Sequence, residues 1–298
     1  MTLDKERALI AWLQARGRVA IGFSGGVDSA YLAAVALDAI GSDATLAIIG
    51  RSASLAGSEE DHAVAVARHL GVQTLEIETG ELDDPRYAAN PSNRCYFCKS
   101  VLWLTLFPIA RARGFETLVD GTNADDLNDY RPGGRAAVEQ GVLSPLADVG
   151  LTKAEIRERT RERGLPWWNR PATPCLASRL PYGMSVTPER LRQVDRAESA
   201  LRALGISGNL RVRHHGDVAR VELDQVLLPV WRDARAFERL SGAVREAGFT
   251  SVELDPRGFR SGSLNVIVEE GSARNEEGAL SQPSALSPSS SRAALPGH

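Results

Sequence analysis

Two groups of residues in this chain have the types and spacing to do chemistry. The first is Ser24-Gly-Gly-Val-Asp-Ser29, which follows the apolar run Arg18-Val-Ala-Ile-Gly-Phe23 and leads into Tyr31-Leu-Ala-Ala-Val-Ala-Leu37. A strand, a tight Gly-Gly turn and a helix start read in that order. Such a turn aims backbone N–H groups and a helix N-terminus at an anion. In lysine-bearing phosphate loops the lysine helps hold and transfer the terminal phosphoryl group. This loop has Asp28 and no lysine, so it must serve another bond. The N–H groups of Gly25, Gly26 and the helix start at Val27, with the hydroxyls of Ser24 and Ser29, suit the pyrophosphate portion of ATP and leave the α-phosphorus open to attack. Asp28 would repel bare phosphates, which implies Mg2+ between them. The chemistry implied is adenylation with pyrophosphate leaving. The plainer reading, a glycine turn that merely joins strand to helix, stays open at this point.

The second group is the three cysteines, Cys95-x-x-Cys98 and Cys175. An odd number in a chain expected in a reducing compartment argues against structural disulfides and brings metal or redox chemistry forward. Of 35 basic residues only Lys5, Lys99 and Lys153 are lysine, and Lys99 adjoins Cys98. A compact ammonium meets phosphate differently from a guanidinium. Zinc held by the three cysteines and a histidine such as His214, or a thiol/disulfide pair at Cys95 and Cys98, are alternatives that the spacing leaves open.

The elements that must position these groups are legible in outline. At 298 residues the chain is long enough for two domains, each with its own core. A net charge of -3 provides no global field for nucleic acid. No apolar run reaches the length of a membrane span, and the N-terminus lacks the basic-then-apolar order of a secretory signal, so a cytoplasmic protein is expected. Residues 18–23, 45–49, 72–78 and 117–120 are β-rich and alternate with helical patterns such as Glu59 to Leu70. This order implies an α/β fold, a parallel sheet flanked by helices, with ligands at the carboxyl ends of its strands. Ser24–Ser29 occupies one such end and Asp120-Gly-Thr-Asn-Ala-Asp-Asp126 another, so Gly121 and Thr122 are expected in the same pocket.

A second cycle, with a helix over 187–204, strands at 210–215 and 218–223, a helix over 230–247 and a strand at 251–254, reads as a smaller α+β module. The expected organisation is an N-terminal domain over 1–165, a Pro- and Gly-rich functional loop over 166–186 carrying Cys175, the smaller module over 187–270, and a disordered Ser/Pro/Ala/Gly tail over 271–298.

Ser24-Gly-Gly-Val-Asp-Ser29 resembles the pyrophosphate loop of the N-type ATP pyrophosphatases. Further segments narrow the resemblance: Arg94-Cys-Tyr-Phe-Cys-Lys99, Asp120–Asp126, Arg131-Pro-Gly-Gly, Gly150-Leu-Thr-Lys-Ala-Glu-Ile-Arg157, Pro174-Cys-Leu-Ala-Ser-Arg179, Arg211-Val-Arg-His-His-Gly216 and Gly258-Phe-Arg-Ser-Gly-Ser-Leu-Asn265. Together they resemble the LarE family of ATP-dependent sulfurtransferases. The resemblance implies thiolation of pyridinium-3,5-biscarboxylic acid mononucleotide on the way to a nickel-pincer cofactor, and a homo-oligomer. It aligns Cys175 with the cysteine that, in a sacrificial branch, surrenders its own sulfur. The presence of Cys95 and Cys98 matches instead a three-cysteine branch, in which Cys95, Cys98 and Cys175 bind a [4Fe-4S] cluster with one iron left open.

By the same resemblance Arg179, Arg211, Arg213 and Arg260 fall in the substrate-phosphate region, where guanidinium forks suit a mononucleotide phosphate. Asp28 and Cys175 are the expected catalytic residues. Glu198 corresponds to a family carboxylate near metal or substrate, with an exposed carboxylate on its helix as the plainer reading. Trp167 and Trp168 are expected to pack, and one of His214 and His215 to face inward. A tRNA-thiolating enzyme of the same superfamily and a non-catalytic nucleotide sensor are the competing functions; no nucleic acid and no membrane are expected as partners.

Overall fold

A computed structural model of the chain describes residues 2–128 and 131–260. The expected tail at 271–298, residues 261–270 of the smaller module and the 261–265 end of the last motif lie outside the described residues. The described residues up to 259 form one compact unit.

The four short strands expected in the first half are present as β1 (Val19–Gly22), β2 (Thr45–Arg51), β3 (Gln73–Glu78) and β4 (Thr117–Val119). They form one parallel sheet in the order β3-β2-β1-β4, with Val19 paired to Thr45 on one side and to Thr117 on the other. Residues Val19, Ala20 and Ile21 are wholly buried, as a parallel strand covered on both faces requires. On one face lie Leu9 and Leu13 of the Thr2–Gln14 helix and the apolar Val27–Ile40 helix; on the other, Trp103 and Leu106 of the Arg94–Arg111 helix. Gly22 permits that second face to close: a Cβ there would lie 2.5 Å from the Trp103 ring. The chain runs outward from β1 to β3 and then returns to place β4 on the opposite side of β1. Strand order reverses between β1 and β4, and such a crevice is where ligands bind in this architecture.

A second sheet holds β5 (Leu210–His215), β6 (Val218–Leu223) and β7 (Ser251–Leu254), with β5 and β6 antiparallel and β6 and β7 parallel. The Pro188–Ala203 helix covers it with Leu191, Val194, Ala197 and Leu201, which lie on one helical face. Thr187 caps that helix by accepting the Arg190 N–H at 3.3 Å. The single helix expected over 230–247 is divided into Leu228–Trp231 and Ala234–Glu246. Asp233 explains the break, because its carboxylate accepts the N–H groups of Arg235 and Ala236 and starts a new helix. The stretch expected as a functional loop over 166–186 is irregular apart from one 3-10 turn, Leu176–Arg179. No helix among the described residues is long and apolar enough to cross a membrane.

Candidate nucleotide and thiol site

The loop after β1 is shaped by its glycines and laced by its serines. Gly25 has φ +70°, and a Cβ on it would sit 2.5 Å from the Ala63 Cα of the Gly57–Leu70 helix, so both conformation and space call for glycine. Ser24 Oγ accepts the Gly26 N–H at 3.3 Å, while Ser29 Oγ accepts the Ser24 N–H at 3.3 Å and donates to Gly26 O at 3.2 Å. Val27 begins the helix whose N-terminus faces the same space. The segment after β4 presses against this loop, since a Cβ on Gly121 would lie 2.9 Å from Ser29 N. Asp120 holds Thr122 beside it, accepting from its N–H at 3.0 Å and its hydroxyl at 2.9 Å. The structure thus brings together the loop residues and Gly121–Thr122 at the crevice between β1 and β4.

Sequence reasoning did not assign Lys153 to this site, and the fold carries it there. The Lys153–Glu162 helix starts from a capping box in which Thr152 and Glu155 bond reciprocally. The Lys153 N–H donates to Asp125 at 2.8 Å, and its ammonium forms an ion pair with Asp28. The loop's missing lysine is supplied from 125 residues further along the chain. Its signal was present in the rarity of lysine. Burial raises the Asp28 carboxyl above its ordinary pKa, with Lys153 opposing. Asp28 Oδ1 is buried with no hydrogen-bond partner among the described residues. A buried, orphaned carboxylate oxygen beside a phosphate-shaped loop fits a divalent cation such as Mg2+ arriving with nucleotide.

Cys95 and Cys98 lie one turn apart on the Arg94–Arg111 helix, and Cys98 packs with Cys175 against the core of the second sheet. Cys175 immediately precedes the Leu176–Arg179 turn, which is tied down by the Leu176 N–H donating to Ser54 O at 2.7 Å. Burial pushes the Cys98 thiol up to about 12; Lys99 opposes, while Glu81, Cys175 and Cys95 add to the rise. Burial and Cys175 likewise raise Cys95, although its side chain reaches solvent. The three thiols therefore lie within range of one another's charge. They do not converge as expected: among the described residues no three Cys, His, Asp or Glu side chains form a group that could hold a metal ion. The reason is local, because Cys95 faces solvent while Cys98 and Cys175 pack inward. Thiolate donors suit an iron–sulfur cluster, but the three side chains as they stand do not form a group that could hold one. The zinc set with His214 is not assembled either; that histidine is buried, bonded to Gln193 at 3.1 Å and edge-on to Phe249, while His215 is exposed.

Two of the arginines expected at a substrate phosphate, Arg179 and Arg213, are already paired with carboxylates of the protein. Arg179 is 1% exposed and forms a two-point pair with Glu198, both bonds 2.9 Å. Its Nη1 donates to Pro174 O at 2.6 Å, Cys175 O at 3.1 Å and Ser178 Oγ at 3.0 Å. Glu198, only partly exposed, also accepts the Val212 N–H at 2.9 Å. Arg213 pairs with Glu222 at 2.9 Å and donates to Ser178 O at 2.8 Å. Arg211 is buried, donates to Leu210 O at 2.7 Å and lies over the Phe259 ring; burial, then the charges of Arg179 and Arg213, lower its pKa to about 10. A guanidinium so placed favours an anion beside it. Arg260 is the last of the described residues. Trp167 is buried edge-on to His69, and Trp168 is half-buried. Lys99 lies over Trp103 on the thiol side.

A family described as NAD synthase matches residues 9–89, the stretch from the first helix through the loop and β3. The pyridinium-3,5-bisthiocarboxylic acid mononucleotide synthase of Lactiplantibacillus plantarum is 36% identical over 88% of this chain and 94% of its own. An uncharacterised protein of Synechocystis is 45% identical over 84% of this chain and 93% of its own. Another, from Methanocaldococcus jannaschii, is 27% identical over 82% and 91% respectively.

Proposed function

Since the chain belongs to the pyridinium-3,5-bisthiocarboxylic acid mononucleotide synthase (LarE) family, within the N-type ATP pyrophosphatases, we propose that it transfers sulfur to an adenylated pyridinium-3,5-biscarboxylic acid mononucleotide. The product is a thiocarboxylate for nickel-pincer cofactor biosynthesis. The observation that carries the reading is the Asp28–Lys153 pair at the mouth of the glycine loop, with one Asp28 oxygen orphaned.

In the first step a substrate carboxylate oxygen attacks the α-phosphorus of ATP, and the α–β bridging P–O bond breaks with its electron pair going to pyrophosphate. Ser24, Gly25, Gly26, Val27 and Ser29 hold the β- and γ-phosphates through N–H and hydroxyl groups, and Gly121 and Thr122 close the nucleotide side. Asp28, through its unpartnered oxygen, would hold Mg2+, which would supply charge neutralisation between that carboxylate and the phosphates. Lys153 is the cation that turns from Asp28 to the leaving pyrophosphate. In the second step sulfur attacks the activated carbonyl carbon, a C–S bond forms and the C–O bond to AMP breaks. Arg179 and Glu198 hold the Cys175 turn rigid for that attack, and Arg211, Arg213 and Arg260 are the proposed phosphate region. Cys95, Cys98 and Cys175 would hold a [4Fe-4S] cluster only with Cys95 drawn inward to meet the other two, and so held the cluster would supply sulfide for the transfer.

The test is Asp28→Asn, which is expected to abolish substrate-dependent pyrophosphate release with the fold intact; near-wild-type release would remove the role given to Asp28. Running the same assay with bulk tRNA in place of the mononucleotide separates the tRNA-thiolating reading, and ATP binding without release would mark a sensor. For the sulfur source, anaerobic reconstitution is expected to give iron and sulfide in near-equal amounts, lost on alanine substitution of any one cysteine. Full activity in Cys95→Ala and Cys98→Ala, with Cys175 losing one sulfur per turnover by mass spectrometry, would establish the sacrificial route instead.

A further inference from the structure

A cavity of about 660 Å³ opens beside the Asp28–Lys153 pair, walled by one face of the Lys153–Glu162 helix together with Asp125, Trp168 and Asn169. Lys153, Arg157 and Arg161 stand four residues apart along that helix and form one basic row. The row begins at the glycine loop and ends at Trp168, where the Arg161 guanidinium lies 5.7 Å from the ring centre. Neither Arg157 nor Arg161 forms an ion pair among the described residues; Arg157 donates to Arg170 O at 3.3 Å, and its Nε is buried with no partner. Two of the acids sharing the cavity are committed elsewhere. Glu155 takes both oxygens to Lys5 at 2.7 Å and caps Thr152, and Asp125 accepts the Lys153 N–H. Glu158 is the acid that remains facing the row. This contrasts with Arg179 and Arg213, whose guanidiniums already have carboxylates.

We propose that this cleft is the exit path for pyrophosphate, with Arg157 and Arg161 as successive anion contacts beyond Lys153. The inference rests on the adenylating reading above. When the α–β bond breaks, pyrophosphate gains the charge of the new terminal oxygen, while the acyl adenylate must stay in place for sulfur. The product therefore needs a way out that does not cross the adenylate. Cations about 6 Å apart along a helix, four residues at about 1.5 Å rise, let a dianionic or trianionic group pass from one to the next without losing all its charge partners at once.

The test uses inorganic pyrophosphate itself, titrated calorimetrically into the nucleotide-free protein, so that it needs no turnover. Arg157→Gln and Arg161→Gln are each expected to weaken pyrophosphate binding by about threefold to tenfold, with AMP affinity unchanged and the double variant weaker than either. Arg161 is exposed, so Arg161→Gln carries the test if Arg157→Gln proves unstable in thermal unfolding. Pyrophosphate affinity unchanged in these variants would overturn the proposal. So would a selective loss of AMP binding, which would make the cleft a nucleotide site. Failure of the adenylating reading shows separately, as a wild-type protein that catalyses no ATP–pyrophosphate exchange with the biscarboxylic acid mononucleotide present, whatever the variants bind.

Discussion

At the loop after β1, Asp28 keeps one carboxylate oxygen buried and unpartnered and offers the other to a single lysine that is a third exposed. At the turn after Cys175, by contrast, Arg179 is saturated, and Glu198 bonds its guanidinium and a backbone N–H as well. Both places concentrate charge beside residues expected to react. They differ in whether protein groups alone satisfy it. Charge left unsatisfied in a crevice lowers its energy when a ligand arrives, whereas charge fully satisfied by protein gives a scaffold its single geometry. On the proposed reading the loop takes up a ligand, and the Arg179 cluster is a frame for the residue it surrounds.

Substitutions break or sharpen that contrast, and the largest effect is expected in the frame. Arg179→Ala removes a fully buried guanidinium and leaves the partly buried Glu198 without its partner, and is expected to cost about 3–5 kcal/mol, measured by thermal or urea unfolding. A change under about 1 kcal/mol would mean that the pair is not the scaffold argued here. A smaller effect is expected at Glu6, a saturated carboxylate on the nucleotide side, which accepts from Tyr31 at 2.6 Å, Arg159 at 2.8 and 3.0 Å and Arg163 at 2.8 Å. Burial alone would raise its carboxyl, but these bonds outweigh burial and lower it from 4.5 to about 2. Because the folded state prefers the ionised form, this contribution is whole above pH 4.5 and is lost as pH falls through about 2. Glu6→Gln is therefore expected to remove about 3 kcal/mol at neutral pH and to flatten the stability profile in that acid window; a profile as steep as wild type would assign the acid sensitivity elsewhere.

Gly121→Ala sharpens the comparison at the loop. Its Cβ must displace the Ser29 backbone, approached to 2.9 Å, with an expected cost of about 1–3 kcal/mol and a marked loss of ATP affinity in equilibrium binding. Unchanged affinity would separate the β4 segment from the nucleotide pocket. The smallest stability effect belongs to Asp28→Asn, expected within about 1 kcal/mol of wild type because the partly exposed ion pair it removes is worth little and the desolvation of the Asp28 carboxylate is relieved. A large destabilisation there would make Asp28 part of a frame like Arg179.

How much of this was legible in the sequence varies with the range of the interaction. Both sheets, the four parallel strands and the helix over 187–204 follow from local pattern, since turn chemistry and periodicity act over a few residues. Asp233 ended one helix and began another through its own carboxylate, a cap of the kind that sequence can signal and that the longer reading of 230–247 passed over. The cysteines were recognisable by type, yet their convergence was not, because exposure of Cys95 depends on what packs against its helix.

By itself the sequence determined where a phosphate loop lies, which strands carry it, and that three thiols and a cluster of arginines accompany it. These are properties of residue type and short spacing. Only the tertiary structure decided that Lys153 completes the loop across 125 residues, that Arg179 is committed to Glu198 across 19, and that Arg157 and Arg161 are left uncommitted along an open cleft. The physical reason is that a charged side chain's role depends on which acceptors reach it. That is set by strand order and by the face each helix turns to its neighbours, and neither is written in any stretch of the chain that contains the residue.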